Sequence, residues 1–450
     1  MREVIVFSAL ALVWFAWRAL NAATLRDPLS PFNLLFYCWI VPLIGSFLEW
    51  SRLQDGFGAE GATLIAVSTA ILIGGCLMPA CFLGRRNLGA SLERYGRSWE
   101  GSLYLRLFVV LFFLITCAAT LSAEFGRGIP LFQYANVLAT DSDLHRYGKD
   151  SKLEILGGGL ATAGLLGFYV ARCAHEKRTK WLFYGIAAIP PFLGILKTSK
   201  SDVFDSLFYY AVLYYYSLRS QNRPFRFKKM AIWSLAGAVS FAAMTMLRLA
   251  GDSRNPTLTY SGMIEFRYVD DVPWPINEAL AIPYGYATLN FENFSRYVRS
   301  SNGQSHWGAS MLRPLLSATL QGSIARTMVK DYEANYHELT GAANMGTYLR
   351  DLYFEGGAWF CLIGTFLYTA LVNLAYVQFR KRQSPLWMCI YINFLFAWIW
   401  IGFNNFFAVL TIYANAVFMA MVVIAGAILS KAVPQAQDSP ATLVLGGKPS

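Results

Sequence analysis

The sequence predicts an all-α, polytopic integral membrane protein with about eleven (ten to twelve) transmembrane helices and a large periplasmic loop containing short helices. Three observations carry this expectation. Of 450 residues, 56% are hydrophobic and only 14% are charged, whereas a soluble chain carries about 25% charged residues. Apolar runs recur near the roughly 20-residue length that a spanning helix needs. Lys and Arg gather in short segments between those runs, so the net charge of +11 marks cytoplasmic loops beside anionic lipid and not a nucleic-acid partner.

In chain order the runs lie near 4–20, 32–50, 62–84, 103–123, 154–172, 181–196, 203–218, 231–250, 356–378, 386–403 and 405–430. The first reads as an uncleaved membrane helix, with Arg18 close behind it. "GRRNLGASLERYGR", "ARCAHEKRTK", "RSQNRPFRFKK" and "FRKR" follow the third, fifth, seventh and ninth runs. All four can face the cytoplasm together, which puts the intervening loops outside. Residues 1–250 then hold helices one to eight, with a smaller periplasmic loop at 124–151. Residues 251–355 form the large periplasmic loop, 356–430 hold helices nine to eleven, and 431–450 are a Pro/Ser/Gly-rich cytoplasmic tail expected to be disordered. "NFENFSRYVRS" and "ASMLRPLLSATLQGSIARTMV" in the large loop read as amphipathic or re-entrant helices. Pro190 and Pro191 are expected to disturb the sixth span, because proline removes a helix hydrogen bond. The chain then turns at "KTSKSD", with Ser201 as N-cap and Asp202 and Asp205 in the first turn of the seventh span.

Seven cysteines without a CxxC pair indicate neither a disulfide framework nor a zinc site. Between Gly251 and Glu355 the basic residues are Arg254, Arg267, Arg296, Arg299, Arg313, Arg326, Lys330 and Arg350, seven arginines to one lysine. Arginine grips phosphate oxygens with a planar fork and keeps its charge, so a phosphate or diphosphate is the indicated ligand. Pairing with the eleven Asp and Glu residues of the same loop is the plainer use of any one of them. Arg248 ends the eighth span, where it either snorkels or faces the bundle interior. Asp141-Ser-Asp143 and "VDDVP" are weak metal signals, and His145, His306 and His337 lack an i, i+4 histidine partner.

Three stretches resemble the Wzy-type O-antigen and enterobacterial-common-antigen polymerases, the oligosaccharide repeat-unit polymerase family. "KTSKSDVF" (197–204) is similar to the family's turn at the outer start of a span. "NFENF" followed by "LRPLL" resembles its outer-loop helix and Pro-Leu step. "NMGTYLRDLYFEGGAWF" (344–360) resembles the stretch that leads into its next span. Lys200 stands where the family has arginine, and Glu355-Gly356-Gly357 where it has Asp-Phe-Gly.

The resemblance implies a metal-independent membrane glycosyltransferase, with no cofactor, at the periplasmic face of the bacterial inner membrane. Donor and acceptor would be oligosaccharides on undecaprenyl diphosphate, with undecaprenyl diphosphate leaving, in the biosynthesis of lipopolysaccharide or a similar polysaccharide. A chain-length regulator is the expected protein partner. Lys200, Arg248, Arg254, Arg296, Arg299 and Arg313 are the diphosphate-binding candidates. Glu292, Glu355 and His306 are unranked candidates for the general base. Asn344, Thr347 and Tyr353 match the motif and shape the site. Tyr284, Tyr286 and Trp307 either stack on sugars or pack in the protein. An O-antigen ligase acting on lipid A core, and a lipid-linked-oligosaccharide flippase or transporter, are the competing readings. The turn at Thr198–Ser201 and the Asn344 stretch favour the polymerase.

Overall fold

A computed structural model of the chain describes residues 11, 14, 27–83, 103–127, 152–174, 176–196, 200–220, 259–268, 271–274, 276–301, 346–382, 385–405, 407 and 410–432. The protein is all-helical: no strand forms among the described residues, and a single antiparallel bridge joins Ser51 to Phe266. In chain order the helices are α1 (Pro31–Ser46), α2 (Ala59–Leu83), α3 (Leu103–Arg127), α4 (Lys152–Cys173), α5 (Lys177–Leu196), α6 (Lys200–Ser220), α7 (Tyr260–Met263), α8 (Ile276–Ser300), α9 (Tyr348–Arg382), α10 (Pro385–Ile399) and α11 (Leu410–Ala432).

Six of these, α2, α3, α4, α5, α9 and α11, are long and apolar enough to cross a membrane. The chain is therefore a membrane protein. The apolar helices α1 and α10 are shorter. Helix α6 covers the run expected at 203–218, where Asp205 and the five tyrosines Tyr209, Tyr210, Tyr214, Tyr215 and Tyr216 leave it less apolar than those six. The expected run at 231–250 lies outside the described residues, as does 4–20 except for residues 11 and 14.

Helix α10 packs on α1, α6, α9 and α11. Its Tyr391, Ile392, Leu395, Phe396, Ala397 and Trp398 are all buried, as expected of a helix apolar on every side. Around it, α3, α4, α5, α6 and α11 form one group, and α1, α2, α8 and α9 another. The lipid-type exterior is visible as exposed Leu107, Leu111, Leu114, Phe366, Leu367 and Ile428. Helix α1 contains a π turn at Phe36–Ile40. There Trp39 is fully buried and donates from Nε1 to Thr69 Oγ1 at 2.9 Å.

The proline pair does not break α5, which runs through Pro190 and Pro191 to Leu196. Proline at 191 offers no N–H to the carbonyl of Ala187. The Tyr210 hydroxyl from α6 donates to that carbonyl at 2.6 Å, so a tertiary bond replaces the lost helical one. Ser201 also lies inside α6 and not before it.

Helix α9 is two segments joined by a reversal. In a continuous helix, positions 348 and 365 would stand about 25 Å apart. Here Tyr348 Oη and Thr365 Oγ1 are 2.7 Å apart, and Cys361 Sγ donates to the Leu349 carbonyl at 3.4 Å. The arm 348–355 therefore folds back along the start of the long segment 358–382. Two glycines permit the reversal. Gly357 has φ +64° and ψ −152°, a region open essentially to glycine alone. A Cβ on Gly356 would lie 2.2 Å from the Phe360 ring.

At the far end of α9, Asp27 Oδ2 accepts hydrogen bonds from Tyr216 and Tyr376, each at 3.0 Å, and lies 3.5 Å from Arg380 Nη1. This buried knot ties the segment before α1 to α6 and α9.

Replacing Gly357 with Ala is expected to cost about 1–3 kcal/mol through backbone strain, read as a lowered thermal unfolding midpoint of the detergent-solubilised protein. Gly185→Ala, where an added Cβ meets open space, is the control and should leave the midpoint unchanged or higher.

Candidate functional site

Helix α8 is amphipathic and almost wholly enclosed from residue 288 to 298. Its apolar positions Leu289, Phe291, Phe294 and Val298 are buried at helical spacing. It packs against the second half of α1, the first turns of α2 and the arm of α9. Phe291 meets Trp39 edge-on at 4.9 Å, and Phe294 and Tyr297 meet Tyr353 of the arm at 6.3 and 6.2 Å. Ser295 Oγ accepts the Gly58 N–H at 2.9 Å, which fixes the entry to α2. At the start of α8, the buried Glu278 carboxylate accepts the N–H groups of Tyr260 and Ser261, each at 3.0 Å. That carboxylate caps α7 and is structural.

The chemistry-bearing face of α8 carries Glu292, Arg296 and Arg299. Spacings of four and three bring these side chains to one face. Glu292 Oε1 lies 3.3 Å from Arg299 Nη2 and 3.6 Å from Arg296 Nε. The Arg296 Nη2 also donates at 2.6 Å to both Asp55 Oδ2 and the Leu53 carbonyl. Glu292 is 1% exposed, whereas Arg299 is 45% exposed and Asp55 59%. Burial pushes the Glu292 carboxyl up to about 7, against the opposing pull of Arg296 and Arg299 and of a backbone N–H bond from Asp55. The site thus has a carboxylate poised near neutrality and two guanidinium groups facing outward.

Beside it, Tyr353 donates its hydroxyl to Glu60 Oε1 at 2.9 Å across the α2–α9 contact. Arg350, Asp351 and Glu355 of the arm are all buried. Thr347 Oγ1 is buried with no hydrogen-bond partner among the described residues. No cluster of three or more His, Cys, Asp or Glu suited to a metal occurs among the described residues.

Of the expected site residues, the fold brings Glu292, Arg296 and Arg299 together, and it places Tyr353, Thr347 and Glu355 on the adjoining arm. Lys200 is the first residue of α6. A run of ring contacts, Phe204–Trp400 at 5.2 Å, Trp400–Phe403 at 5.3 Å and Phe403–Tyr286 at 5.5 Å, connects the start of α6 to α8. Arg248, Arg254, Arg313, His306, Asn344 and Trp307 lie outside the described residues. Tyr284 packs inside the protein: it stacks on Trp50 at 5.1 Å and bonds to Gln54. Tyr286 stacks between Tyr260 and Phe403. Asp55 and Glu60 were not singled out by the sequence, where they are lone acids just before a helix and in its first turn, the ordinary place for them.

A carboxyl that binds its proton more tightly in the folded chain stabilises the fold fully below its unfolded pKa, near 4.5. That contribution is lost as pH rises through about 7. Helix α8 is not one of the apolar spans, and the Arg299 side chain beside Glu292 is 45% exposed. The unfolding midpoint of Glu292→Gln minus that of the native protein should therefore rise between pH 4.5 and 7 and level off above. A flat difference would show that Glu292 titrates at its ordinary value. Scans against protein-family models, curated proteins and solved structures each give no match to this chain.

Proposed function

We propose that this chain polymerises lipid-linked oligosaccharide repeat units at the outer face of the bacterial inner membrane. It transfers the growing glycan from undecaprenyl diphosphate to a repeat unit carried on the same lipid. The observation that carries this reading is the arginine pair clamped by a buried carboxylate at one end of the bundle. The basic cluster Arg380, Lys381 and Arg382 ends α9, whose arm walls this site, about 36 Å away along the 358–382 segment. That charge distribution fits a cytoplasmic end and an outer site.

The chemistry follows from the side chains. Glu292 takes the proton from the acceptor hydroxyl, whose oxygen then forms the new bond to the donor's anomeric carbon. The bond from that carbon to the diphosphate oxygen breaks, and the diphosphate leaves with the electron pair. Arg296 and Arg299 meet the charge that develops there, with Lys200 as a further cation at the same end. Among the described base candidates, Glu292 lies against the arginines and titrates near neutrality.

Loss of the chain in its native host should leave lipopolysaccharide capped with a single repeat. Uncapped core would indicate a ligase instead. Complementation with Arg299→Ala should lower polymerisation by about 10²–10³-fold, seen as short chains on a gel with normal protein levels. Full-length polysaccharide from that variant would sink the assignment. In membranes, activity should rise with pH through about 7, since the base must be ionised.

A further inference from the structure

Two carboxylates neutralise the arginine pair, and they differ in kind. Glu292 is buried, sits in a helix, and touches both guanidinium groups through one oxygen. The Asp55 carboxylate is mostly exposed and pairs with Arg296, while the Asp55 backbone N–H bonds to Glu292. Asp55 lies in the segment between α1 and α2, beside Gly56 with φ +81°. Removing Glu292 from the pair would strand a buried charge. Swinging Asp55 away costs little, because its carboxylate is already largely hydrated.

We propose that Asp55 is a displaceable positioning residue of this site: it holds Arg296 in the unloaded protein, and a diphosphate spanning Arg296 and Arg299 displaces it. The inference rests on reading the arginine pair as the diphosphate site. Arg296 and Arg299 are neighbours on one helix face, so a ligand with two phosphoryl groups reaches both. A ligand with one phosphoryl group must compete with Asp55 for Arg296 or settle for Arg299. Asp55 thereby opposes a diphosphate, which needs both arginines, at least as much as a monophosphate. Glu292 remains on the arginines throughout and keeps its role as base. The other charged groups on elements packed against this face are Glu60 of α2 and Arg350, Asp351 and Glu355 of the α9 arm. Of the two carboxylates on Arg296, Asp55 is the exposed one and therefore the exchangeable one.

The test uses the full chain in nanodiscs of zwitterionic lipid, titrated calorimetrically with inorganic pyrophosphate and with inorganic phosphate. The native protein should bind pyrophosphate more tightly than phosphate. Asp55→Asn, a near-isosteric surface change, should tighten pyrophosphate about two- to fivefold and phosphate by no more. In an Arg296→Gln background, Asp55→Asn should have no effect. An unchanged or weakened pyrophosphate affinity in Asp55→Asn would overturn the proposal. So would the same tightening in the Arg296→Gln background, which would mark a general charge effect, and so would an absence of pyrophosphate binding to the native protein. The polymerase reading is judged by polysaccharide length in cells, so it and this proposal can fail separately.

Discussion

The reversal of α9 at Gly356 and Gly357 is the constraint on which the candidate site depends. It turns 348–355 back against 358–365, so a charged, tyrosine-bearing arm is buried beside the bundle instead of extending from it. The arm gives α8 a wall to pack on, and α8 in turn closes over the first turns of α2. Straightening the joint would remove the Tyr353–Glu60 bond and the ring contacts of Phe294 and Tyr297 together. Glu292 would then lose the enclosure that raises its pKa. A local backbone feature of two residues thus controls the electrostatics of a helix some sixty positions earlier.

Two of the buried ionic centres among the described residues are made of similar parts, and their surroundings give them different uses. Around Asp27, Arg380 is also buried and two tyrosine hydroxyls complete the shell. Such a satisfied knot fixes the packing of three segments, and breaking it would strand a charge. Around Glu292 the carboxylate is buried, but its arginines reach the surface. A group from outside can join the second centre without dismantling the protein. That asymmetry in exposure, and not the residue types, separates the structural pair from the functional candidate.

Much of the fold was legible in the sequence because apolar length is a local property. The runs read at 62–84, 103–123, 154–172 and 405–430 coincide with α2, α3, α4 and α11. The reversal was less legible. Its glycines were read as part of a family-like stretch, but only the distance between Tyr348 and Thr365 reveals the folded-back arm. The proline pair was read as a disturbance, and the repair by Tyr210 depends on a neighbouring helix that one-dimensional pattern cannot supply. In the site, the arginine-rich stretch pointed to Arg296 and Arg299, and the unranked acids included Glu292. Asp55 and Glu60 escaped notice because their meaning comes from contacts across some 240 and 290 residues of chain.

On the proposed reading, a diphosphate site at a membrane surface faces a problem of competition. Phospholipid headgroups offer a dense supply of phosphodiesters, each with one negative charge on its phosphate. Two unguarded arginines would collect them, since arginine pairs readily with any phosphate oxygen. With Glu292 ionised and Asp55 in place, the four charged side chains sum to zero, and long-range attraction for a singly charged group is weak. A diphosphate brings more charge and reaches both guanidinium groups, so it gains on Arg299 what it must spend displacing Asp55. Asp55 itself does not select, because a headgroup that settles on Arg299 alone leaves the Asp55–Arg296 pair intact; the reach to both arginines selects. An exposed ion pair contributes about 0.2–1 kcal/mol, so Asp55 lowers the charge of the empty site at little cost to a ligand that spans it. A buried partner would strand its charge when displaced and hold that ligand back. The exposure of Asp55 therefore suits a site that stays neutral when empty and still opens to a ligand of two phosphoryl groups.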